Sequence, residues 1–182
     1  MFAPFSGYFL ILASPLRLGV RFPLRFVCCQ MEALFLILIC STALILGNEF
    51  SIAAFIHPGL SRASHLSFLP AIQVFAKLFG KVMPFWMGGT LLVHLIVLWL
   101  TWHWPAPGSV WLLLATILWI AIILFSVLGP VPINDRVKGW DVNKLPADWG
   151  DQRRTWDRLN AIRVVIIFVA FLALLLSFKD LV

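Results

Sequence analysis

Four apolar stretches, each long enough to cross a bilayer as a helix, constrain this 182-residue chain more than any other feature. About 20 helical residues span the hydrocarbon core, and such runs occupy residues 33–57, 84–104, 109–129 and 160–179. Hydrophobic residues make up 62% of the chain and charged residues only 12%, whereas soluble domains average about 45–50% and about 25%. The sequence therefore predicts an all-α integral membrane protein whose surroundings are a lipid bilayer.

Glycine and proline mark every connection between these stretches, as is typical of turns. The connection between the second and third stretches is only residues 105–108, so we expect these spans to be antiparallel neighbours. Ahead of the second stretch, four apolar residues recur at helical spacing and predict a short interfacial helix: Phe68, Ile72, Phe75 and Phe79. The fold prediction is an antiparallel four-transmembrane-helix bundle with one interfacial helix, formed as a single domain by residues 31–182.

The positions of Lys and Arg predict the orientation, because cytoplasmic loops carry an excess of both. The two longer connections are basic and the short one is not; the basic residues are Arg62, Lys77, Lys81, Arg136, Lys138, Lys144, Arg153, Arg154, Arg158 and Arg163. We therefore expect a protein of a bacterial inner (plasma) membrane with both termini outside the cytoplasm. The net charge of +6 does not indicate nucleic-acid binding, because these residues form no patch interleaved with exposed aromatic residues.

Residues 1–30 depart from this pattern. They carry Arg17, Arg21 and Arg25 on the side predicted to be outside, against the positive-inside rule. Pro15 and Arg17 also interrupt the apolar run before it reaches spanning length. We expect translation to begin at Met31, and an extension attached loosely to the membrane interface is the alternative.

Glu49, with Asn48 beside it, lies inside the first apolar stretch. Taking a charge into hydrocarbon costs at least a few kcal/mol, so an acidic residue in a span is a candidate functional group that faces the protein interior. On a regular helix, His57 lies about 80° around the axis and about 12 Å along it from Glu49, so both can border one cavity. On another side runs a small-residue stripe suited to a homo-oligomer contact: Ala43, Gly47 and Ser51.

The fourth stretch begins with a polar and aromatic stripe. Trp156, Asn160 and Arg163 follow helical spacing, and we place them on the inward face. Arg163 enters the membrane from the side that Glu49 approaches, which makes it the expected counter-charge. Further candidates for the same interior come from the second stretch and from the end of the third: Trp86, His94 and Asn134.

Each of these residues also has a structural interpretation. Glu49 and Arg163 can fix helix register, since polar pairs often hold membrane helices together. His94 can be a hydrogen-bonded core residue, and His57 beside Pro58 can close a helix. The histidines show neither H-x-x-H nor H-E-x-x-H spacing, so we expect no metal site.

Three segments resemble the anthrone oxygenase family of short four-span membrane proteins: GNEFSIAAFIHPGL, VPINDRVKGWD and LPADWGDQRRTWDRLNAIRVV. The resemblance covers about residues 31–180. Its motifs close the first span, follow the third and lead into the fourth: His57 with Pro58, Pro132 with Asn134, and Trp156 with Arg158 and Arg163. Many members carry His where this chain has Asn160, which weakens the transfer of a base role to that position.

The resemblance implies oxidation of a polycyclic anthrone to an anthraquinone by dioxygen, without a bound cofactor. A placed base would remove a C–H proton, and the electron-rich anion would then reduce dioxygen. The candidate bases are Glu49, His57 and His94, and His57 is preferred if Glu49 is tightly paired with Arg163. The remaining residues would stabilise the anion or hold the flat rings: Asn48, Trp86, Asn134, Trp156, Asn160 and Arg163.

The alternative is a non-enzymatic binding or accessory membrane protein. In that case the same polar cluster holds the helices together or shelters a small hydrophobic molecule. The sequence leaves both interpretations open.

Overall fold

A computed structural model describes residues 24–60, 62, 64–102 and 107–181 of the chain. These residues form helices connected by short turns and one longer loop. The helices are α1 (Leu24–Ser51), a π-helical turn (Ile52–Ile56), α2 (His57–Leu60), α3 (His65–Thr101), α4 (Pro107–Leu128), α5 (Pro130–Val137) and α6 (Trp149–Leu181). The predicted all-α class is confirmed.

Four helical segments are long and apolar enough to cross a membrane: Gln30–Leu60, Leu66–Thr101, Gly108–Val137 and Trp149–Leu181. They overlap the four predicted stretches, so this prediction is confirmed as well. Large apolar side chains such as Leu44, Phe85 and Leu128 are exposed on the outer surface of the helices. Apolar side chains suit contact with hydrocarbon. The helices also satisfy their own backbone hydrogen bonds and need no water.

The predicted interfacial helix is not a separate element in the structure. Residues 68–79 form the first turns of α3, which runs without a break from His65 to Thr101. Pro70 and Pro84 lie inside this helix, where a proline removes one backbone donor and would normally end the helix. Membrane helices tolerate such residues because neighbouring groups satisfy the freed carbonyls. An interfacial position for the first turns of α3 stays a prediction.

The buried side chains form three apolar clusters along the bundle. The first joins the start of α1 to the end of α6 and contains Phe35, Leu38, Val97, Leu112, Ala115, Ala173 and Leu174. The second is central and contains Ile45, Met87, Trp119, Ile122 and Ile167. The third, called the loop-end cluster here, contains Ile52, Phe68, Leu69, Ile72, Ile133, Val137 and Trp156. The loop-end cluster lies beside the basic connections and supports the site described below.

Helices α4 and α6 approach each other closely at Gly108. A Cβ atom added there would lie 2.8 Å from the carbonyl oxygen of Ser177, whereas a Cβ on Gly88 would meet nothing within 4 Å. We therefore expect Gly108→Ala to lower the free energy of unfolding by about 1–3 kcal/mol and Gly88→Ala to change it little. Thermal unfolding of both variants in detergent tests this, and equal midpoints would contradict the close approach.

Two sequence predictions remain predictions. The proposed start at Met31 concerns mainly residues 1–23, which lie outside the described residues, although α1 already begins at Leu24. The small-residue stripe is on α1, where the Gly47 side is exposed and the Ser51 hydroxyl donates to the Gly47 carbonyl at 2.7 Å. The homo-oligomer contact on this face stays a prediction.

Candidate functional site

Glu49 and Arg163 form a buried ion pair between α1 and α6. The Arg163 Nη2 group donates to Glu49 Oε2 and also to Asn160 Oδ1, the latter at 2.7 Å. The side chains of Arg163 and Glu49 are 11% and 3% exposed, and Asn160 is fully buried. The counter-charge that the sequence predicts for Glu49 is therefore in place, and Asn160 belongs to the same network.

Several buried N–H donors on α1 and α6 have no hydrogen-bond partner within the described ranges. They are Asn48 Nδ2, Trp156 Nε1, Asn160 Nδ2 and Arg163 Nε. Trp156, Asn160 and Arg163 follow one another on a single face of α6, as the sequence predicts. An unpaired buried donor is costly, so these groups favour an acceptor oxygen nearby.

The π-helical turn Ile52–Ile56 separates Glu49 from His57. The backbone N–H of His57 bonds to the carbonyl of Ile52, five residues back. A π-helix has more residues per turn than an α-helix, so it rotates less per residue. The offset of about 80° expected on a regular helix shrinks accordingly, and Glu49 and His57 both contact α6.

His57 pairs with Asp157 on α6 and stacks on an indole. Its Nδ1 lies 2.7 Å from Asp157 Oδ1, and its ring is 4.0 Å from the Trp156 ring with 20° between the planes. Arg153 Nε lies 4.0 Å from the other carboxylate oxygen of Asp157. Because the carboxylate accepts the Nδ1 proton, Nε2 is the imidazole atom that can accept another.

Sequence reasoning missed Asp157. The two partners lie 100 residues apart, and no local motif joins them. The only signal in the sequence is the helical spacing of Arg153 and Asp157, which is equally typical of an exposed ion pair. Asp157 also follows Trp156 directly, so it lies beside the predicted stripe rather than on it.

A small cavity, called the histidine cavity here, opens beside this pair. It has a volume of about 30 Å³ and is lined by His57, Phe68, Ile72, Ile133, Asn134, Val137, Trp140, Arg153 and Trp156. Gln73 Nε2 fixes one wall by donating to the carbonyls of Val137 and Trp140 at 3.1 and 2.9 Å. The volume suits one or two water-sized molecules and excludes a three-ring compound.

Trp86 lies in a different place from Trp156. It lines a groove of about 280 Å³ between α1 and α3, together with Ile37, Leu38, Ser41, Phe85, Gly89, Thr90 and Val93. Its Nε1 donates to the Ser41 hydroxyl at 3.0 Å, and the hydroxyls of Ser41 and Thr90 are 2.7 Å apart. The two tryptophans predicted to hold one flat ring therefore line separate spaces.

His94 lies in a third environment. It is 1% exposed, its Nδ1 is 3.0 Å from the Thr90 carbonyl, and its ring stacks on Trp119 at 5.4 Å. It lines neither the histidine cavity nor the groove. These contacts match the structural interpretation of His94 better than a role as base.

Within residues 24–60, 64–102 and 107–181, no three His, Cys, Asp or Glu side chains converge as they would around a metal ion. The candidate site is thus built from one histidine–carboxylate pair, one buried ion pair and several unpaired donors. Asn134, another polar residue predicted from the sequence, borders the site because it lines the histidine cavity.

Comparison with known proteins gives one match. The sequence model of a family described as anthrone oxygenase matches residues 74–173. The match includes six of the nine predicted site residues: Trp86, His94, Asn134, Trp156, Asn160 and Arg163. Asn48, Glu49 and His57 precede it. No curated protein and no solved structure matches the chain.

Proposed function

The chain belongs to the anthrone oxygenase family, and on that premise we propose that it is a membrane oxygenase. The proposed substrate is a flat, hydrophobic phenolic compound with an activated methylene group, which dioxygen converts to a carbonyl without a bound cofactor. The observation that carries this proposal is the His57–Asp157 pair at the wall of the histidine cavity. A histidine oriented by a carboxylate is an arrangement suited to general-base catalysis.

The first step is removal of a proton from the methylene carbon. Asp157 accepts the Nδ1 proton of His57, which leaves Nε2 free to take the substrate proton. The negative charge that develops on the substrate spreads onto the ring oxygen and gives an enolate or phenolate. Asp157 also stabilises the imidazolium that forms, since it is the hydrogen-bond partner of the protonated ring.

The second step transfers electrons to dioxygen. The anion gives one electron to dioxygen, which yields a substrate radical and superoxide, and these two combine through a new carbon–oxygen bond. The resulting peroxide anion takes the proton back from the His57 imidazolium and becomes a hydroperoxide. This hydroperoxide loses the second methylene hydrogen as a proton and releases hydroxide as its oxygen–oxygen bond breaks. The products are the new carbonyl and one water molecule, so one dioxygen is consumed for each substrate.

His57 is the better base of the two residues near this end of the bundle. The Glu49 side chain is 3% exposed and bound by the Arg163 guanidinium, whereas His57 lines a cavity where a reactant can approach it. Glu49 with Arg163 and Asn160 has another use in the proposal. Asn160 is fully buried and neither it nor Arg163 lines the histidine cavity, so this network holds α1 against α6 and thereby positions His57 beside Asp157.

The substrate rings lie outside the histidine cavity in this proposal, because about 30 Å³ cannot hold them. The side chain of Asp157 is 41% exposed and that of His57 is 10% exposed, so the pair connects the cavity wall with the surface. The reacting methylene approaches from that surface. The basic residues at this end of the bundle, among them Arg136 and Arg154, support the proposal that this end is on the cytoplasmic side of a bacterial inner membrane.

The proposal is tested by oxygen uptake with purified protein in nanodiscs. An anthrone-like phenolic is added, and dioxygen consumption is followed with an electrode while the quinone product is followed by absorbance. We expect one dioxygen consumed per carbonyl formed, well above the rate with empty nanodiscs. Equal rates with and without protein, over a set of such phenolics, would contradict the proposed function.

Asp157→Asn is expected to lower the turnover rate while the fold is kept, because an amide no longer stabilises the protonated histidine. The loss should be smaller than that from removing the histidine itself. Asp151→Asn is the matched control, since Asp151 lies on the same helix and pairs with Arg154. The comparison uses the same oxygen electrode, and equal rates for the two variants would exclude Asp157 from the mechanism.

The alternative is a binding or accessory protein in which these polar groups are structural. The burial of Glu49 and Arg163 favours such a role for that pair, because polar pairs hold membrane helices together. The two candidate functions predict different results for a substitution of His57. If substitution of His57 shifts only the unfolding temperature and no phenolic supports oxygen uptake, the structural role is the correct one.

A further inference from the structure

We propose that the histidine cavity is the binding site for dioxygen, and that the Arg153 guanidinium at its wall stabilises the superoxide formed there. This inference rests on the proposed function and deepens it, because it assigns the two reactants to different spaces. The organic substrate lies at the surface beside His57 and Asp157. The gas lies inside, next to the carbon that loses its proton.

The volume of the cavity selects small molecules. About 30 Å³ accommodates one or two molecules the size of water or dioxygen. Most of the wall is apolar, through Phe68, Ile72, Ile133 and Val137. Dioxygen is apolar and needs no hydrogen-bond partner, so this lining accommodates the gas.

The charge at the wall favours the product of electron transfer. Arg153 lies over the Phe68 ring, with its guanidinium carbon 4.6 Å from the ring centroid. Its Nε is 4.0 Å from Asp157 Oδ2, a distance that leaves the ion pair loose. A cation beside a small apolar space stabilises an anion formed there more than it would in water. Superoxide is such an anion and dioxygen is not, so the interaction strengthens as the electron is transferred.

The position in the bundle favours supply from the bilayer. The cavity lies in the loop-end cluster between α3, α5 and α6, and the exposed face of the first turns of α3 is apolar through Leu66, Val74 and Leu78. Dioxygen is apolar and dissolves better in hydrocarbon than in water. A site inside a membrane protein can therefore fill from the lipid, while the phenolic arrives at the surface.

Dioxygen itself is the probe for the test. Because dioxygen is paramagnetic, it increases the relaxation of nearby nuclei, and fluorine NMR of protein labelled with 5-fluorotryptophan reports this at each indole. Trp156 lines the cavity, and Trp119, which is fully buried and lines neither space, is the internal reference. Under dioxygen pressure in nanodiscs we expect a severalfold larger relaxation increase at Trp156 than at Trp119.

Val137→Ile adds one methylene to the cavity wall and is expected to remove most of that excess at Trp156. The matched control is Val142→Ile, because Val142 packs against the loop-end cluster without lining the cavity. In oxygen-uptake assays, Val137→Ile should raise the KM for dioxygen severalfold and leave the KM for the phenolic unchanged. Arg153→Gln should lower kcat with little change in the relaxation at Trp156.

The two readouts separate the two proposals. A wild-type protein with equal relaxation at Trp156 and Trp119 overturns the dioxygen site, whatever its activity. An excess at Trp156 that persists in Val137→Ile, or an unchanged KM for dioxygen in that variant, overturns it as well. An excess that Val137→Ile removes, in a protein that oxidises no phenolic, supports the gas site and contradicts the proposed function.

Discussion

His57→Gln is expected to slow phenolic-dependent oxygen uptake by about 10²- to 10⁴-fold, the usual contribution of a general base. Glutamine has a similar size to histidine and can still donate to Asp157, which lies 2.7 Å from the imidazole Nδ1. It cannot accept a proton at the position of Nε2. The measurement is the initial rate of oxygen uptake in nanodiscs at saturating phenolic.

The control for this variant is His94→Gln, the same change at the other membrane-embedded histidine of the described residues. His94 contacts Thr90 and Trp119 and lines neither cavity, so its loss should affect stability rather than turnover. Unfolding midpoints of both variants, read from tryptophan fluorescence, separate the two effects. A larger rate loss from His94→Gln than from His57→Gln would show that His94, and not His57, is the base.

Glu49→Gln is expected to lower the free energy of unfolding by about 3–5 kcal/mol, because removal of one partner leaves a buried charge without compensation. The Arg163 side chain is only 11% exposed, and Asn160 Oδ1 and the introduced amide oxygen are neutral acceptors that do not compensate its charge. The measurement is unfolding of the purified protein by SDS titration. The loss of stability arises from the buried Arg163 guanidinium that is left without a counter-charge, and not from the loss of an attractive contact alone.

The double variant Glu49→Gln with Arg163→Met distinguishes these causes. It removes both charges, so it should recover a large part of the lost stability. The exposed pair of Arg154 and Asp151, with side chains 68% and 75% exposed, gives the reference: Asp151→Asn should cost at most about 1 kcal/mol. A double variant no more stable than Glu49→Gln would show that the pair does not act as a unit.

Hydropathy and length predict most of this fold. Each spanning helix follows from an uninterrupted apolar run, because only helices satisfy their backbone groups in hydrocarbon. The exception is α3, where the helical spacing of Phe68, Ile72, Phe75 and Phe79 predicts a separate interfacial helix. In the structure these residues form the first turns of one helix of 37 residues, because Pro70 and Pro84 do not interrupt it.

The candidate site follows from the sequence only where charge requires it. Glu49 is a carboxylate inside an apolar span and needs a cation as its partner. Arg163 lies at a matching depth, so the Glu49–Arg163 pair is predictable. The contact of His57 with Asp157 depends on how α6 is rotated against the end of α1, which no local pattern encodes. The separation of Trp86 from Trp156 has the same cause, since Trp86 turns toward Ser41 on α1 and Trp156 toward His57.

The π-helical turn Ile52–Ile56 changes how this segment should be aligned with other sequences. A regular helix returns to nearly the same face after seven residues, but Glu49 and His57 are eight apart. The turn absorbs that one residue. A chain that is one residue shorter in this segment, with a regular helix in place of the π-helical turn, would present the same acid and the same histidine to α6. A one-residue gap between these two positions is therefore compatible with an unaltered site, and an alignment that forbids the gap would pair His57 with the wrong column.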